Sequence, residues 1–265
     1  MTQTEVTPSA QLTGNVLFYE KPEPLTPELH GNLGISRVEP AFAFVAKSHV
    51  VPLTVTEFAP AALSYPVVFV GEPKNPLAVM GLRQGENLFV SPEGQFRAEA
   101  YIPAFIRRYP FVFANDEQQQ RMILCVDRGA PQVVENADAP FFADGKPTEF
   151  VETAMKFCRD FEAERQRTEN FVNLLNELDL FDLREAVFTP RNPDGSAGQP
   201  QKIADYYAVS EEKLAKLPAK KLAELRDNGA LGQIYAHLVS LLGWDRLIAM
   251  AFERAARQQP AAANA

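Results

Sequence analysis

The sequence is short of the residue patterns that announce a common chemistry. Its 265 residues include two cysteines, three histidines and one tryptophan. No histidine pair has the H-x-x-x-H spacing, and neither Cys125 nor Cys158 belongs to a C-x-x-C pair, so no structural zinc is expected. A site joining His30, His49 and a carboxylate stays open as the lesser alternative. There is no G-x-S-x-G elbow. The segment Gly81-Leu82-Arg83-Gln84-Gly85-Glu86 lacks the G-K-[ST] ending of a phosphate loop and the third glycine of a dinucleotide fingerprint. The expectation is therefore no cofactor, no metal and no catalytic set.

Positive charge is also scarce. Lys and Arg number 26 against 34 Asp and Glu, a formal net charge of -8. Nucleic-acid binding needs a basic footprint, and polybasic attachment to anionic lipid needs a cluster of cations. Neither is expected here. No apolar run approaches the ~18 residues of a membrane-spanning helix. Met1 to Gly14 is polar and mixed, without the pattern of a secretory signal. Both cysteines lie in apolar stretches and read as buried thiols, with one disulfide as the alternative. Those features together point to a soluble, cytoplasmic protein.

What is present is an internal near-repeat. Ala59-Pro60-Ala61-Ala62-Leu63-Ser64-Tyr65-Pro66-Val67-Val68-Phe69-Val70 and Ile102-Pro103-Ala104-Phe105-Ile106-Arg107-Arg108-Tyr109-Pro110-Phe111-Val112-Phe113-Ala114 read alike. Each has a proline, a short helix-like stretch, a Tyr-Pro pair and an apolar run. Twelve residues after each tyrosine a second apolar run begins, at Leu77 and at Arg121. This pattern predicts two copies of a helical turn feeding a two-stranded unit. Only the second copy carries an arginine pair, where the first has Leu63-Ser64.

Around the repeat, short apolar segments broken by Gly and Pro favour antiparallel sheet over βαβ units. Strands are expected at Val16–Tyr19, Ala41–Val45, Val51–Phe58, near Phe89-Val90 and at Phe96–Tyr101. Lys21–Pro27 must be extended or turning, because proline fixes φ and lacks the N–H. Beyond residue 148, apolar residues at Phe150, Ala154, Phe157, Cys158, Phe161, Phe171 and Leu175 define one face of a long helix. Its charged face, Glu162 included, reads as solvated. Asn192-Pro193-Asp194-Gly195 is a turn between two short strands. Ser210 caps a helix, Ala219–Asp227 forms another ended by Asn228-Gly229, and a last helix from Leu231 to Arg257 bends near Gly243. The fold class expected is α+β: a flexible tail at 1–14, a β-rich part at 15–147, a mainly helical part at 148–258 and a tail at 259–265, as one integrated domain.

Arg107-Arg108 is the one constellation with a sharp chemistry. Arginine captures carboxylate or phosphate bidentately and stacks on aromatic rings, for which Tyr101, Tyr109 and Phe111 are at hand. The competing reading pins one guanidinium to Glu57, Glu86 or Asp127. Both can hold, since neighbouring side chains on a helical turn point about 100° apart. His30 reads as a loop-fixing hydrogen-bonding residue.

Further residues carry a family resemblance. Tyr19-Glu20, His30-Gly31, Val51-Pro52-Leu53-Thr54, Glu57-Phe58 and Tyr65-Pro66 are its opening. Gly81-Leu82-Arg83, Glu86-Asn87-Leu88-Phe89-Val90 and Tyr101 to Phe111 are its centre. Tyr235-Ala236-His237-Leu238 with Ser240-Leu241 are its end. The chain resembles the SapC-like proteins of Gram-negative bacteria over roughly residues 15–250, departing from their pattern at Gly243-Trp244. The resemblance implies an accessory role linked by name to surface-layer export, and members accompany outer-membrane receptors, flavin halogenase-like and cupin-like hydroxylase proteins. It supplies no catalytic residues.

The expectation is a non-catalytic adaptor that binds a peptide or protein partner, possible also as a homodimer. Its binding residues would be Arg107, Arg108, Tyr109, Tyr101, Tyr65, Arg83 and His30. The alternative is an enzyme acting on a peptide or small metabolite, with His30 or His49 paired to Glu57 or Asp127. A purely structural subunit is the third reading.

Overall fold

A computed structural model describes residues 17–116, 121–189, 196 and 198–258. In chain order the elements are β1 (Pro22–Pro24), α1 (Pro27–His30), β2 (Leu33–Ile35), β3 (Val50–Pro52), α2 (Phe58–Ala62), β4 (Val67–Val70) and β5 (Asn75–Val79). There follow α3 (Ala104–Arg107), β6 (Phe111–Asp116), β7 (Arg121–Asp127), β8 (Val133–Glu135), β9 (Ala139–Pro140), β10 (Phe142–Ala143) and β11 (Lys146–Pro147). The chain ends with α4 (Glu149–Glu177), β12 (Phe181–Phe188), β13 (Gln201–Val209), α5 (Glu211–Ala215), α6 (Ala219–Asp227), α7 (Ala230–Ser240) and α8 (Gly243–Gln258). The fold is α+β, with a β-rich N-terminal part and one long helix. The described residues divide into two compact units, residues 17–44 with Ile106–Ala163, and Val45–Phe105 with residues 164–258.

The first unit has an antiparallel sheet of order β1-β7-β6, a second of order β8-β2-β9 and the β10-β11 hairpin. Its core joins Leu33, Phe111, Leu124, Val126, Val133 and Phe141 to Val151 and Cys158 on the first half of α4. Gly34 is required where β2 is flanked by β8 and β9, because a Cβ there would collide with the Ala139 carbonyl. Asp127 closes the end of β7. Its buried carboxylate accepts the N–H groups of Glu20 (3.0 Å), Lys21 (2.7 Å) and Gly129 (3.1 Å) and so fixes the approach to β1.

The second unit is a five-stranded antiparallel sheet of order β12-β13-β4-β5-β3. Central β4 is continuously apolar, and Val67, Val68 and Phe69 are all buried. Phe58 and Phe181 meet Phe69 edge-on, at 6.0 and 4.9 Å between ring centroids. Strands β13 and β4 pair at Tyr207 and Phe69, and the same register carried two residues further sets Val209 opposite Val67. There the imidazole of His237, from α7, stands between the strands. Its Nε2 accepts the Val209 N–H (3.1 Å) and its Nδ1–H donates to the Val67 carbonyl (2.8 Å), which fixes the neutral tautomer. Ser240 completes the seam, accepting the Val67 N–H (2.9 Å).

Both copies of the repeat fold as expected. The first is α2 followed by the β4-β5 hairpin; the second is α3 followed by the longer β6-β7 hairpin. They lie in different sheets. Other expectations need correction. Thr54 to Phe58 is not strand, because Thr54 and Glu57 form a capping box and turn the chain into a 3-10 turn and α2. Ala43–Val45 is likewise a 3-10 turn, and Leu17-Phe18 a turn, with Val16 outside the described residues. The two strands expected around Ser91–Gly94 reduce to one bridge between Val90 and Phe96. Strands β12 and β13 are long rather than short, and the turn at Asn192–Gly195 lies outside the described residues, as do the expected tails at 1–14 and 259–265. The last helix is two helices, α7 and α8, broken before Gly243. A Cβ at Gly243 would stand 3.3 Å from the Pro66 nitrogen.

Burial lowers the pKa of His237 to about 4, whereas an unfolded histidine titrates near 6.5. Below pH 6.5 the unfolded chain takes up a proton that the folded chain refuses. Stability should be flat in this respect above pH 6.5 and fall by about 3 kcal/mol as pH drops to 4. Urea unfolding at pH 7 and pH 4.5 checks this; His237→Gln should lose that part of the slope.

Candidate functional site

The arginine doublet sits where α3 gives way to Tyr109-Pro110. The start of α3 is fixed in the second unit. The Glu57 carboxylate accepts the Ala104 N–H (2.6 Å) and the Tyr101 hydroxyl (3.0 Å) besides the N–H and hydroxyl of Thr54 (both 2.9 Å). Tyr65 donates its hydroxyl to the Tyr101 carbonyl, and the Tyr101 N–H donates to Ser64 (3.0 Å). Tyr65 is fully buried, and burial drives its pKa well above the usual phenol range. The expected role of Tyr65 as contact surface is therefore corrected: its ring belongs to the core.

The two arginines point apart, as adjacent residues on a turn must. Arg108 is 7 % exposed, with Nη1 4.0 Å from the Glu162 carboxylate. Its guanidinium lies 4.6 Å from the Phe161 ring and 5.9 Å from the Tyr19 ring. Arg107 is exposed and stands 5.2 Å over Phe157. Phe157 and Phe161 are one turn apart on α4, so neighbouring arginines take successive aromatic positions of one helix.

Among the described residues the carboxylate beside Arg108 is that of Glu162, a residue expected to be solvated, and not Glu57, Glu86 or Asp127. Glu162 flanks Phe161 at the edge of the buried stripe, and desolvated Arg108 draws it in. The aromatic partners are also not those expected: Phe157, Phe161 and Tyr19 take the place of Tyr101 and Phe111. The signal for Phe157 and Phe161, aromatics four apart on a helix with an acid alongside, was present in the sequence but identical to that of a core face.

Arg107 opens onto a cleft of about 350 Å³ in the first unit. Tyr109, Phe150, Thr153, Ala154 and Phe157 line it, and Phe150 is partly exposed. Tyr109 forms a fixed wall. Its ring stacks on Phe44 (4.1 Å between centroids) and its hydroxyl donates to Asp127 (3.3 Å). Burial first, then the Asp127 charge, raises its pKa beyond the ordinary phenol range. Cys158 also reaches the cleft, but burial pushes its thiol up to about 12, so it is an inert wall. Arg108 also lines the cleft from its buried position, so apolar walls meet two guanidinium groups of which Arg107 is the exposed one, an arrangement that suits a group apolar and negatively charged at once.

The other expected residues lie elsewhere. His30 is fully buried at the end of α1, its Nε2 3.1 Å from Glu23 and its Nδ1 against the Thr26 backbone. His30 thus pairs with Glu23 and not with the Glu57 or Asp127 of the enzyme alternative, and its imidazole is closed from solvent. Asp127 spends its oxygens on backbone and phenol donors, and Glu57 on these and the Thr54 hydroxyl. Arg83 is exposed in the second unit, beside a separate cleft of about 290 Å³ with Phe188, Phe252 and Lys202. Among the described residues, no three His, Cys, Asp or Glu side chains converge as metal ligands, and no helix is long and apolar enough to cross a membrane.

These features define an α+β protein with an arginine-mouthed apolar cleft. The family model for SapC matches residues 25–247, and the chain belongs to the SapC family. No curated protein and no solved structure matches it.

The split between the arginines has a direct consequence for stability. Arg108→Ala leaves Glu162 without its buried cation and two rings without their lid, and should cost about 2–4 kcal/mol. Arg107→Ala should change stability by less than about 1 kcal/mol. Urea unfolding of the two variants, side by side, measures both.

Proposed function

We propose that this SapC-family chain is a non-catalytic accessory protein that holds a peptide or protein partner at the Arg107 cleft. The observation that carries this reading is the pairing of an exposed guanidinium, stacked on Phe157, with an apolar cleft walled by Tyr109 and Phe150. Arginine over an aromatic face is ordered before anything binds, so little side-chain entropy is lost on contact. A segment presenting a carboxylate next to an aromatic or branched apolar side chain satisfies both features. The carboxylate meets Arg107 and the apolar group enters the cleft.

Within this reading Arg108 and Tyr109 position the site, and Tyr65, Tyr101 and Glu57 fix the start of α3. The partner chemistry fits accessory work beside surface-exported, receptor, halogenase-like or hydroxylase-like proteins, the associations the family resemblance implies. The protein acts in the cytoplasm in this account.

The test is affinity capture from the native cell with immobilised wild-type chain and with Arg107→Glu, read by mass spectrometry. Wild type should retain a partner that Arg107→Glu loses by at least 10-fold, and that peptides pairing an acidic with an aromatic residue displace. Equal retention by both chains would refute the assignment.

A further inference from the structure

Helix α7 contains no Asp, Glu, Lys or Arg. One face faces inward through Ala230, Ile234, His237 and Ser240. The other carries Tyr235, Val239 and, just past the helix end, Leu242, at steps of four and three. These are 52 %, 56 % and 80 % exposed. A solvent-facing helix surface ordinarily carries charge, and this one does not. Leu63, at the end of α2, is 79 % exposed. Arg246 donates to the carbonyls of Leu63 (3.1 Å) and Ser64, which holds that end of α2 beside the α7-α8 junction. Leu63 thereby extends the apolar face at its Leu242 end.

We infer that this face is a homodimer interface, with α7 of two copies packed antiparallel about a two-fold axis. At their exposures the four side chains present roughly 500 Å² of surface, toward the top of what a monomer leaves bare. A two-fold contact between two such patches removes twice that area, about 1,000 Å², which is the lower bound for a specific interface. A second copy is favoured over a foreign helix because the face is complementary to itself. Rotation about an axis near residue 237 brings Leu242 of each copy over Gly232 of the other, and Tyr235 beside Val239. Gly232 has room for this, since a Cβ built there meets no atom within 4 Å. The large end thus covers the small end twice, as an isologous interface requires. Charge agrees as well. A chain of net charge -8 repels its own copy, and α7 adds no ionised side chain to that repulsion, while the charge nearest Leu63 is the cation of Arg246.

Sedimentation velocity of the full chain over a micromolar concentration series tests the inference. Wild type should sediment as a dimer, and Val239→Glu with Leu242→Glu as a monomer, with circular dichroism and melting unchanged. Should the double variant fold poorly, Leu242→Cys and Gly232→Cys chains, mixed and oxidised, supply the second readout. They should cross-link to each other faster than either chain cross-links to itself. A wild type that stays monomeric, a dimer indifferent to the Glu substitutions, or cross-linking without this pairing preference would overturn it. None of these outcomes touches the Arg107 cleft, whose test is separate.

Discussion

A guanidinium taken out of water needs opposite charge and polarisable surface beside it, and Arg108 is the group on which the candidate site turns. Removing a cation from solvent costs several kcal/mol unless opposite charge and polarisable surface replace the water. Glu162 supplies the charge, while Phe161 and Tyr19 supply the faces. Once Arg108 is committed inward, the geometry of a helical turn leaves Arg107 pointing elsewhere. It settles over Phe157, one turn back on α4, at the mouth of an apolar cleft. One residue is a strut, and its neighbour is set by that strut.

The repeat gives this arrangement its context. Both copies deliver a short helix into a Tyr-Pro pair and an antiparallel hairpin, yet their tyrosines have diverged. Tyr65 is sunk in the core with its hydroxyl on the Tyr101 carbonyl, whereas Tyr109 is half-buried and holds Asp127. The first copy has Leu63-Ser64 where the second has Arg107-Arg108. Ser64 is consumed by backbone hydrogen bonding, and Leu63 is left bare. One scaffold thus presents an apolar tip in one copy and a charged one in the other. Of the residues that carry the family resemblance, Tyr65-Pro66, Ile102 to Phe111 and Tyr235 to Leu241 fall on these two segments and on α7 or its end, and Tyr65 and His237 among them maintain seams.

Features with a local or periodic signature were legible in the sequence. The two hairpins, the long helix, the Ser210 cap and the stop at Asn228-Gly229 all follow from patterns within a few residues of one another. What was misread had competing local signals. Thr54-Val55-Thr56-Glu57 alternates like a strand, but T-x-x-E is also a capping box, and the hydrogen bonds of Glu57 decided the matter. Phe89 to Tyr101 has strand-like composition but forms a single bridge. Partners distant in sequence were not legible. Glu162 lies on a face whose period marks it as solvated, and nothing near His237 reveals that it spans Val67 and Val209. The doublet itself was visible as an anomaly; which arginine turns inward depends on packing against α4.

Two adjacent arginines occupy opposite environments, Arg108 desolvated among Glu162, Phe161 and Tyr19, and Arg107 exposed over Phe157 at the cleft. Side-chain NMR of the guanidinium Nε–H groups, titrated with N-acetyl-Asp-Phe as a probe, reports on both at once. Arg108 should show slow hydrogen exchange and a stationary resonance, and Arg107 fast exchange and a saturable shift. Rapid exchange at Arg108, or a probe that moves both resonances together or neither, would contradict that arrangement.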